Sequence, residues 1–448
     1  MTILIKVIQV ILALGLLVLV HEFGHFIFAR LFKIKVEKFY LFFDAGFALL
    51  RWKPKNSDTE YGIGWLPFGG YCKIAGMIDE SMDKEQIKAE PKPWEFRSHP
   101  AWQRFFVLLG GVLFNVILAI VIYTGIMAAW GEQYIKNSDV TTGIATNELG
   151  REIGFRNGDK VLAINGNEVE RFDNLRIELI QEQAEEVTVE RDGKRLTIAI
   201  DKQYMPAILE SADLFEYGIP FVVAQIPDTS LNASAGLMTG DKIVAVDSTA
   251  TPMYTDVKEI ISARPSSTVM ATIERGGSSD STAVQIVTIP LKTDSEGRLQ
   301  LMLDGDLTHF YKVTERQYSF FEAIPQGVKK AGEQISNYWK QLKLIFTPQT
   351  KAYKSVGSFI AIGSIFPGFW DWRAFWAITA FLSIMLAVLN ILPIPALDGG
   401  HILFTLYEMI TGRKPSDKFL VAAQTVGMIL LFALMILAFG NDIFRLLK

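Results

Sequence analysis

Three stretches of this 448-residue chain, Phe105 to Trp130, Ala374 to Pro395 and Phe419 to Gly440, contain no charged residue. A helix needs roughly 20 apolar residues to cross the hydrocarbon core of a bilayer, and each stretch supplies them. A fourth run, Val7 to Val20, is broken only by Gln9 and gains length by continuing as helix through His21 to Phe32. A cleaved signal peptide is the competing reading of residues 1–20, because Lys6 precedes the apolar run. No small-residue cleavage site follows; a dense polar motif does. Half of the residues are hydrophobic and the mean hydropathy is +0.25, high for a soluble enzyme of this size. The expected fold is a polytopic α-helical membrane protein with four transmembrane helices.

Charge orients those helices. The connection from Lys33 to Gln103 opens with Lys33, Lys35, Lys38, Arg51, Lys53 and Lys55, which the positive-inside rule assigns to the cytoplasm. Residues 131–372 then lie mostly outside, and Arg413, Lys414 and Lys418 fall inside again. A net charge of −4 points to no nucleic acid and no acidic partner. The single cysteine, Cys72, forbids an intrachain disulfide and reads as an ordinary buried or interfacial residue.

Between the second and third apolar runs the character changes to mixed charge with short β-branched runs. An internal repeat lies there: "IGFRNGDKVLAINGNEVE" (153–170) and "AGLMTGDKIVAVDSTATP" (235–252) share apolar-x-x-Gly-Asp-Lys, then a strand, then a turn. Each copy is followed by a helix-like stretch (172–183 and 254–263), then by a strand ending in a charged turn, "VTVERDG" or "ATIERGG". Isolated Gly-Asp turns are common hairpin signals. Two copies in one order, with the same downstream elements, resemble a tandem of α+β PDZ domains, with "YGIP" (217–220) as a weak candidate peptide-terminus loop. Further on, residues 318–345 interleave aromatic and apolar residues with lysines, as an amphipathic interfacial helix would, or a solvated one. Residues 355–366 are apolar but too short to span, and suit a re-entrant segment.

The chemistry centres on "HEFGH", His21 to His25, at the end of the first run. Spacing of i and i+4 puts both imidazoles on one helix face, within reach of one metal ion. Glu22 stands beside them as a proton acceptor for an attacking water. The chain has only five histidines, and ionisable groups at the end of an apolar span are costly and usually functional. A chance HExxH on a helix is the bland alternative. A catalytic zinc typically takes three protein ligands. The third is sought at another span, where "NILPIPALDGGH" (390–401) offers Asp398 between a proline-broken helix and a Gly-Gly turn, with His401 as the rival. His99 and His309 lie in polar stretches and read as ordinary surface residues.

Together, "HEFGH" in the first span and "NILPIPALDGG" in the third resemble the site-2 intramembrane proteases, specifically the RseP-type branch with two PDZ domains. The resemblance covers nearly the whole chain in the same order of elements. It implies a Zn2+ held by His21, His25 and Asp398, with Glu22 as catalytic base; His401 matches no ligand. It also implies substrate-binding or site-shaping roles for Asn390, Pro393 and Pro395. "GGVLFN" (110–115) resembles the family's small-residue pattern in span two without its usual proline, which makes Asn115 a further substrate-binding candidate. "EYGIGWLPFGGYCKIAG" (60–76) resembles the membrane-associated β-hairpin loop, with Gly62, Ile63 and Gly64 as the expected strand edge; "FFDAGFALLRW" before it is a looser match.

The expected segments are spans at 1–32, 104–130, 373–396 and 419–444; a cytoplasmic hairpin loop at 33–103; PDZ domains at 131–220 and 221–306; an interfacial and re-entrant stretch at 307–372; and a cytoplasmic loop at 397–418. The resemblance implies single-span substrates, such as anti-sigma factors or signal-peptide remnants, already trimmed by another protease. It places the chain in a bacterial inner membrane, with the PDZ domains outside and the active site towards the cytoplasm. A helical substrate shields its own peptide bonds, so it must unwind, and its freed backbone groups need partners in a water-poor setting. Strand addition to the hairpin would supply them. The PDZ pair would obstruct substrates that keep a bulky outer domain, or else recruit partners through peptide termini. Two other classes compete. A membrane scaffold with a dead metal site would lack one of the four site residues, and all are present. A metal transporter would carry ionisable residues through several spans, and the stretches 105–130 and 419–440 of spans two and four carry no charged residue.

Overall fold

The computed structural model describes residues 2–77, 90–211, 213–276, 284–345, 347, 350, 352 and 357–446. They form two compact units: Met1–Glu132 with Arg316–Phe346 and Ala352–Lys448, and Gln133–Glu315 with Thr347–Lys351.

In the first unit, helix α1 (Thr2–Leu31) is followed by a long hairpin of β1 (Val36–Trp52) and β2 (Glu60–Ile74), then by helix α2 (Ala101–Trp130). After the middle region come α3 (Phe320–Ile345), α4 (Phe359–Ile365), α5 (Trp372–Ile391), α6 (Asp398–Thr411) and α7 (Asp417–Leu446). Helices α1, α2, α5 and α7 contain the four segments long and apolar enough to cross a membrane among the described residues. The stretch 397–418, expected as a loop, is mostly α6, which starts as soon as the Gly399-Gly400 pair lets its first turn tuck against the preceding chain.

Small residues decide how closely the helices approach. Gly24 of α1 faces Gly110 of α2, and a Cβ on either would overlap the other's backbone. Ala323, Gly327 and Ala331 are the buried stripe of α3, and Gly327 lies against Thr124 of α2. A shared cluster of Ala119, Ile122, Tyr123, Ile126, Ala331, Ala380, Ile384 and Val388 joins α3 to α2 and α5. The small-residue stripe of α3 is thus covered by helices, while Phe320, Phe321, Ile324, Val328 and Trp339 stay exposed. Of the stretch expected to be re-entrant, residues 355 and 356 lie outside the described set. Helix α4 leans on the first half of α1, where Gln9 Nε2 donates to Pro367 O at 2.9 Å. The buried Asp442 of α7 accepts from Ser358 N (2.7 Å) and Ser358 Oγ (2.6 Å) at the start of α4.

The hairpin is folded on itself. Phe39 of β1 pairs with Cys72 on one side and Tyr61 on the other, and Leu41 pairs with both Gly70 and Ile63. The later part of β1 returns to pair Leu50 with Ile63 and Arg51 with Gly62. Four strand segments therefore lie side by side in the order 70–74, 36–43, 60–64, 48–52. One face packs on α1 through Phe26, Phe39 and Tyr61. The tip exposes Phe47, Leu49, Leu50, Trp52, Ile63 and Trp65.

The second unit repeats one module. Strand Lys160–Ile164 pairs with Glu186–Arg191, which pairs with Lys194–Ala199; strand Lys242–Val246 pairs with Thr268–Arg275, which pairs with Gln285–Lys292. The Gly-Asp motif has the same job in both copies. Asp159 binds Arg191 at 2.7 Å and accepts from Arg156 N; Asp241 binds Arg275 at 2.8 Å and accepts from Met238 N. Each arginine then donates to a glycine carbonyl, Gly154 or Gly236, at 2.8 Å. Burial alone would raise the Asp241 carboxyl; Arg275 and the Met238 N–H override it and hold it below the usual carboxylate range.

Candidate active site

Helix α1 carries His21 and His25 on the face turned to α2, and both are buried. They fit there because α2 presents Gly111: a Cβ at that position would come within 2.5 Å of His25 Nε2 and 2.6 Å of His21 Cε1. Helix α2 also fixes the rings. His25 Nδ1 lies 2.8 Å from Val107 O and donates to it, which leaves Nε2 its lone pair. The Asn115 amide lies 3.1 Å from His21 Nδ1. With the amide oxygen turned to the ring, Nδ1–H donates and Nε2 is again free; that orientation also gives a partner to Asn115 Oδ1, otherwise buried without one. Asn115, expected to touch substrate, is 0% exposed and is not among the residues lining the cavity below. It positions His21.

Asp398 reaches the same point from the far end of the chain. The α5 helix ends at Ile391, and the Pro393–Pro395 stretch turns tightly, with Ile394 N donating to Leu392 O and Leu397 N to Ile394 O. Added side-chain carbons at Gly399 and Gly400 would overlap the carbonyls of Leu392 and Ile394, so only glycine lets α6 begin there with Asp398 as its first residue. Pro393 and Pro395 shape this turn and are not among the residues lining the cavity below; Asn390 is.

Asp398 Oδ2 is 3.2 Å from His21 Nε2 and 3.4 Å from His25 Nε2, and the two Nε2 atoms are 3.3 Å apart. An ion with bonds of about 2.0–2.1 Å in tetrahedral geometry has ligand atoms about 3.3–3.4 Å apart, so the triangle fits zinc. These three residues are the one such metal-holding group among the described residues. His401 is not part of it. His309 is exposed and bonded to Asp304, while His99 is half-buried beside Gln103.

The triangle lies in the wall of a cavity of about 460 Å³ that Glu22 also lines, beside His21. Gly70, Tyr71, Cys72, Lys73 and Ile74 form another wall. That segment pairs with β1 on one side, and no strand covers its other side among the described residues. The register differs from the expected edge at Gly62, Ile63 and Gly64: Gly62 pairs with Tyr40 and Arg51, Ile63 with Leu41 and Leu50, and Gly64 with Ala48, while side-chain carbons at the two glycines would strike Tyr40 and the Phe43 backbone. The open edge is 70–74. Its far end in the sequence motif was visible; which segment stayed unpaired was not.

Two histidines on a buried helix face, a carboxylate from a separate segment and a glutamate in a cavity between membrane helices define a membrane metallopeptidase. Residues 9–434 match the peptidase family M50, and the chain belongs to that family, the site-2 proteases. The regulator of sigma-E protease RseP of Escherichia coli is 29% identical over 97% of this chain and 98% of its own length. A Vibrio cholerae protein named as a zinc metalloprotease has the same identity and coverage. The regulator of sigma E protease of Haemophilus influenzae is 28% identical over 97% of the chain and 98% of its length. The chain is a zinc metalloendopeptidase with several apolar helices, as in a multi-pass membrane protein.

Proposed function

We propose that the chain cuts single-span membrane proteins within or beside the bilayer, after a first protease has trimmed them, as a step of regulated intramembrane proteolysis. Anti-sigma-factor-like proteins and signal-peptide remnants are the substrate classes. The observation that carries this is the open edge 70–74 in the same cavity as Glu22 and the ligand triangle. An unwound substrate segment adds to that edge by backbone pairing and lies along the site. His21, His25 and Asp398 hold the zinc, which when bound polarises a carbonyl and makes water a better nucleophile near neutral pH. Glu22 accepts the proton of the attacking water and returns it to the leaving amine. Asn115 and Val107 keep the two imidazoles in the tautomer that ligation needs. Asn390, in the cavity wall, is a substrate-contact residue.

The repeated module of the second unit is proposed to be a PDZ tandem on the outer side of a bacterial inner membrane, with the active site towards the cytoplasm. It acts as a filter against bulky outer domains, with binding of peptide termini as the competing role. Two measurements test these readings. Purified protein in lipid vesicles is expected to cut a single-span reporter inside its apolar segment, located by fragment masses, with loss on zinc chelation; cuts confined to soluble segments refute the intramembrane reading. Deleting 140–306 is expected to let untrimmed substrates be cut while trimmed ones are still processed; slower cleavage of both favours recruitment.

A further inference from the structure

Among the polar groups of the cavity wall that none of these roles uses, one lies on the last apolar helix. Gln424 lies on α7, in an otherwise apolar span, and is only 2% exposed. It lines the cavity with His21, Glu22, His25, Asp398 and Asn390. Its Oε1 is buried without a hydrogen-bond partner, and the side chain lies beside His401. A polar side chain inside a span is costly, and a buried amide oxygen without a partner more so, so the oxygen has room for a further contact. The backbone around it is held in place: Gly427, one turn on, packs against Pro395 and Ala396, the turn that delivers Asp398.

An extended segment added to 70–74 satisfies one row of its backbone groups and presents a second row on its far side. In a water-poor cavity those groups also need partners. The walls not made by the hairpin offer two uncharged amides, Asn390 and Gln424. A carboxamide supplies a donor and an acceptor together, matching a peptide group, and brings no charge to compete for the metal ligands. We propose that Gln424 is a substrate-binding residue whose amide pairs with a backbone group on the far side of the unwound segment. This rests on the strand-addition reading of the edge 70–74.

The test uses full-length protein in vesicles, a single-span reporter peptide, and copies of that peptide in which one backbone N–H at a time is replaced by an ester oxygen. Gln424→Met is expected to lower kcat/KM about tenfold, as loss of one hydrogen bond in a desolvated site would, with zinc content and melting temperature unchanged. One ester position should cost the parent about as much and cost Gln424→Met nothing further. Gln424→Asn, which keeps the amide but shortens its reach, should lose less and retain the same ester profile; it serves if the methionine variant misfolds. Unchanged kcat/KM in Gln424→Met, or ester losses identical in parent and variant at every position, overturns the proposal. Cys72→Pro separates the two readings. If it leaves cleavage intact while Gln424 still couples to one ester, strand addition fails and the glutamine contact stands. If Cys72→Pro impairs cleavage and Gln424→Met is silent, only the glutamine contact falls.

Discussion

The metal side of the cavity and its hairpin side are built in opposite ways. Around the zinc ligands every position is over-determined: Gly24 against Gly110, Gly111 beneath both imidazoles, Asn115 and Val107 on the ring nitrogens, and Gly399-Gly400 under the turn. On the hairpin side one strand segment is left with a row of backbone groups uncovered among the described residues. Catalysis needs fixed atoms at the metal and a vacant partner for the substrate, and the rigid and the incomplete wall face one cavity. An open edge is ordinarily a liability that proteins cover or charge. Here the segment carries Lys73, ion-paired with Glu37 at 3.4 Å, and lines the cavity.

The largest effects are expected on the metal side. Glu22→Gln should keep its zinc and lose cleavage by about 10²–10⁴-fold, because the ligands stay and the proton acceptor goes; metal analysis beside a cleavage assay checks both, and substantial residual turnover removes Glu22 from its role. Asp398→Asn should lose zinc and activity together, whereas His401→Ala should keep much of each; the reverse result would overturn the ligand assignment.

Next come the residues that only position ligands. Gly111→Ala puts a carbon where the His25 ring stands, and Asn115→Leu removes the partner of His21 Nδ1. Each should weaken zinc binding by about 10–100-fold, read by competition with a chelator. If Gly111→Ala binds zinc normally, the helices can part more easily than the contact implies, and the contrast between the two sides softens.

The hairpin side separates by register. Cys72→Pro should leave zinc in place and cut cleavage sharply, since it disturbs the open edge. Ile63→Pro, in a segment paired with Leu41 and Leu50, should instead lower the amount of folded protein. Equal outcomes at the two positions would mean that 70–74 is not the working edge.

The smallest effect on cleavage is expected in the second unit. Asp241→Asn should lower its melting temperature while zinc content and cleavage of a pre-trimmed substrate stay unchanged. Because the Asp241 carboxyl is held below its unfolded value, the stability it contributes is fully present above about pH 4 and is lost as pH falls through the folded pKa. Melts from neutral to acidic pH check this, and a parent protein as stable at pH 3 as at pH 7 would contradict it.

The difference between the two sides also sets what could be read from the sequence. Candidate ligands are a matter of residue type and spacing, so His21 and His25 are visible in the HExxH motif with Glu22 beside them, and Asp398 comes from the family resemblance. The repeated Gly-Asp turns were equally legible, since each aspartate must meet an arginine one strand away. A strand edge is specified by register, which no single residue announces. The 60–64 and 70–74 segments both read as glycine- and aromatic-rich strand, and only the doubling back of β1 buries one and frees the other. The contact of Asn115 with His21 is not visible in the sequence, because a buried asparagine and a substrate-facing one look alike until the helix across from it is placed. Gly111 had a visible signal, the Gly110-Gly111 pair in an apolar run, whose meaning depends on which residues of α1 it faces.

The ligand triangle also has an order in time. Its histidines are on the first helix to be made, their supports on the second, and the carboxylate on a segment made only after the whole second unit. A nascent chain in the membrane therefore holds a base and two imidazoles but cannot close the metal's ligand set. Completion of the triangle waits for the α5–α6 turn to pack back against the first helix.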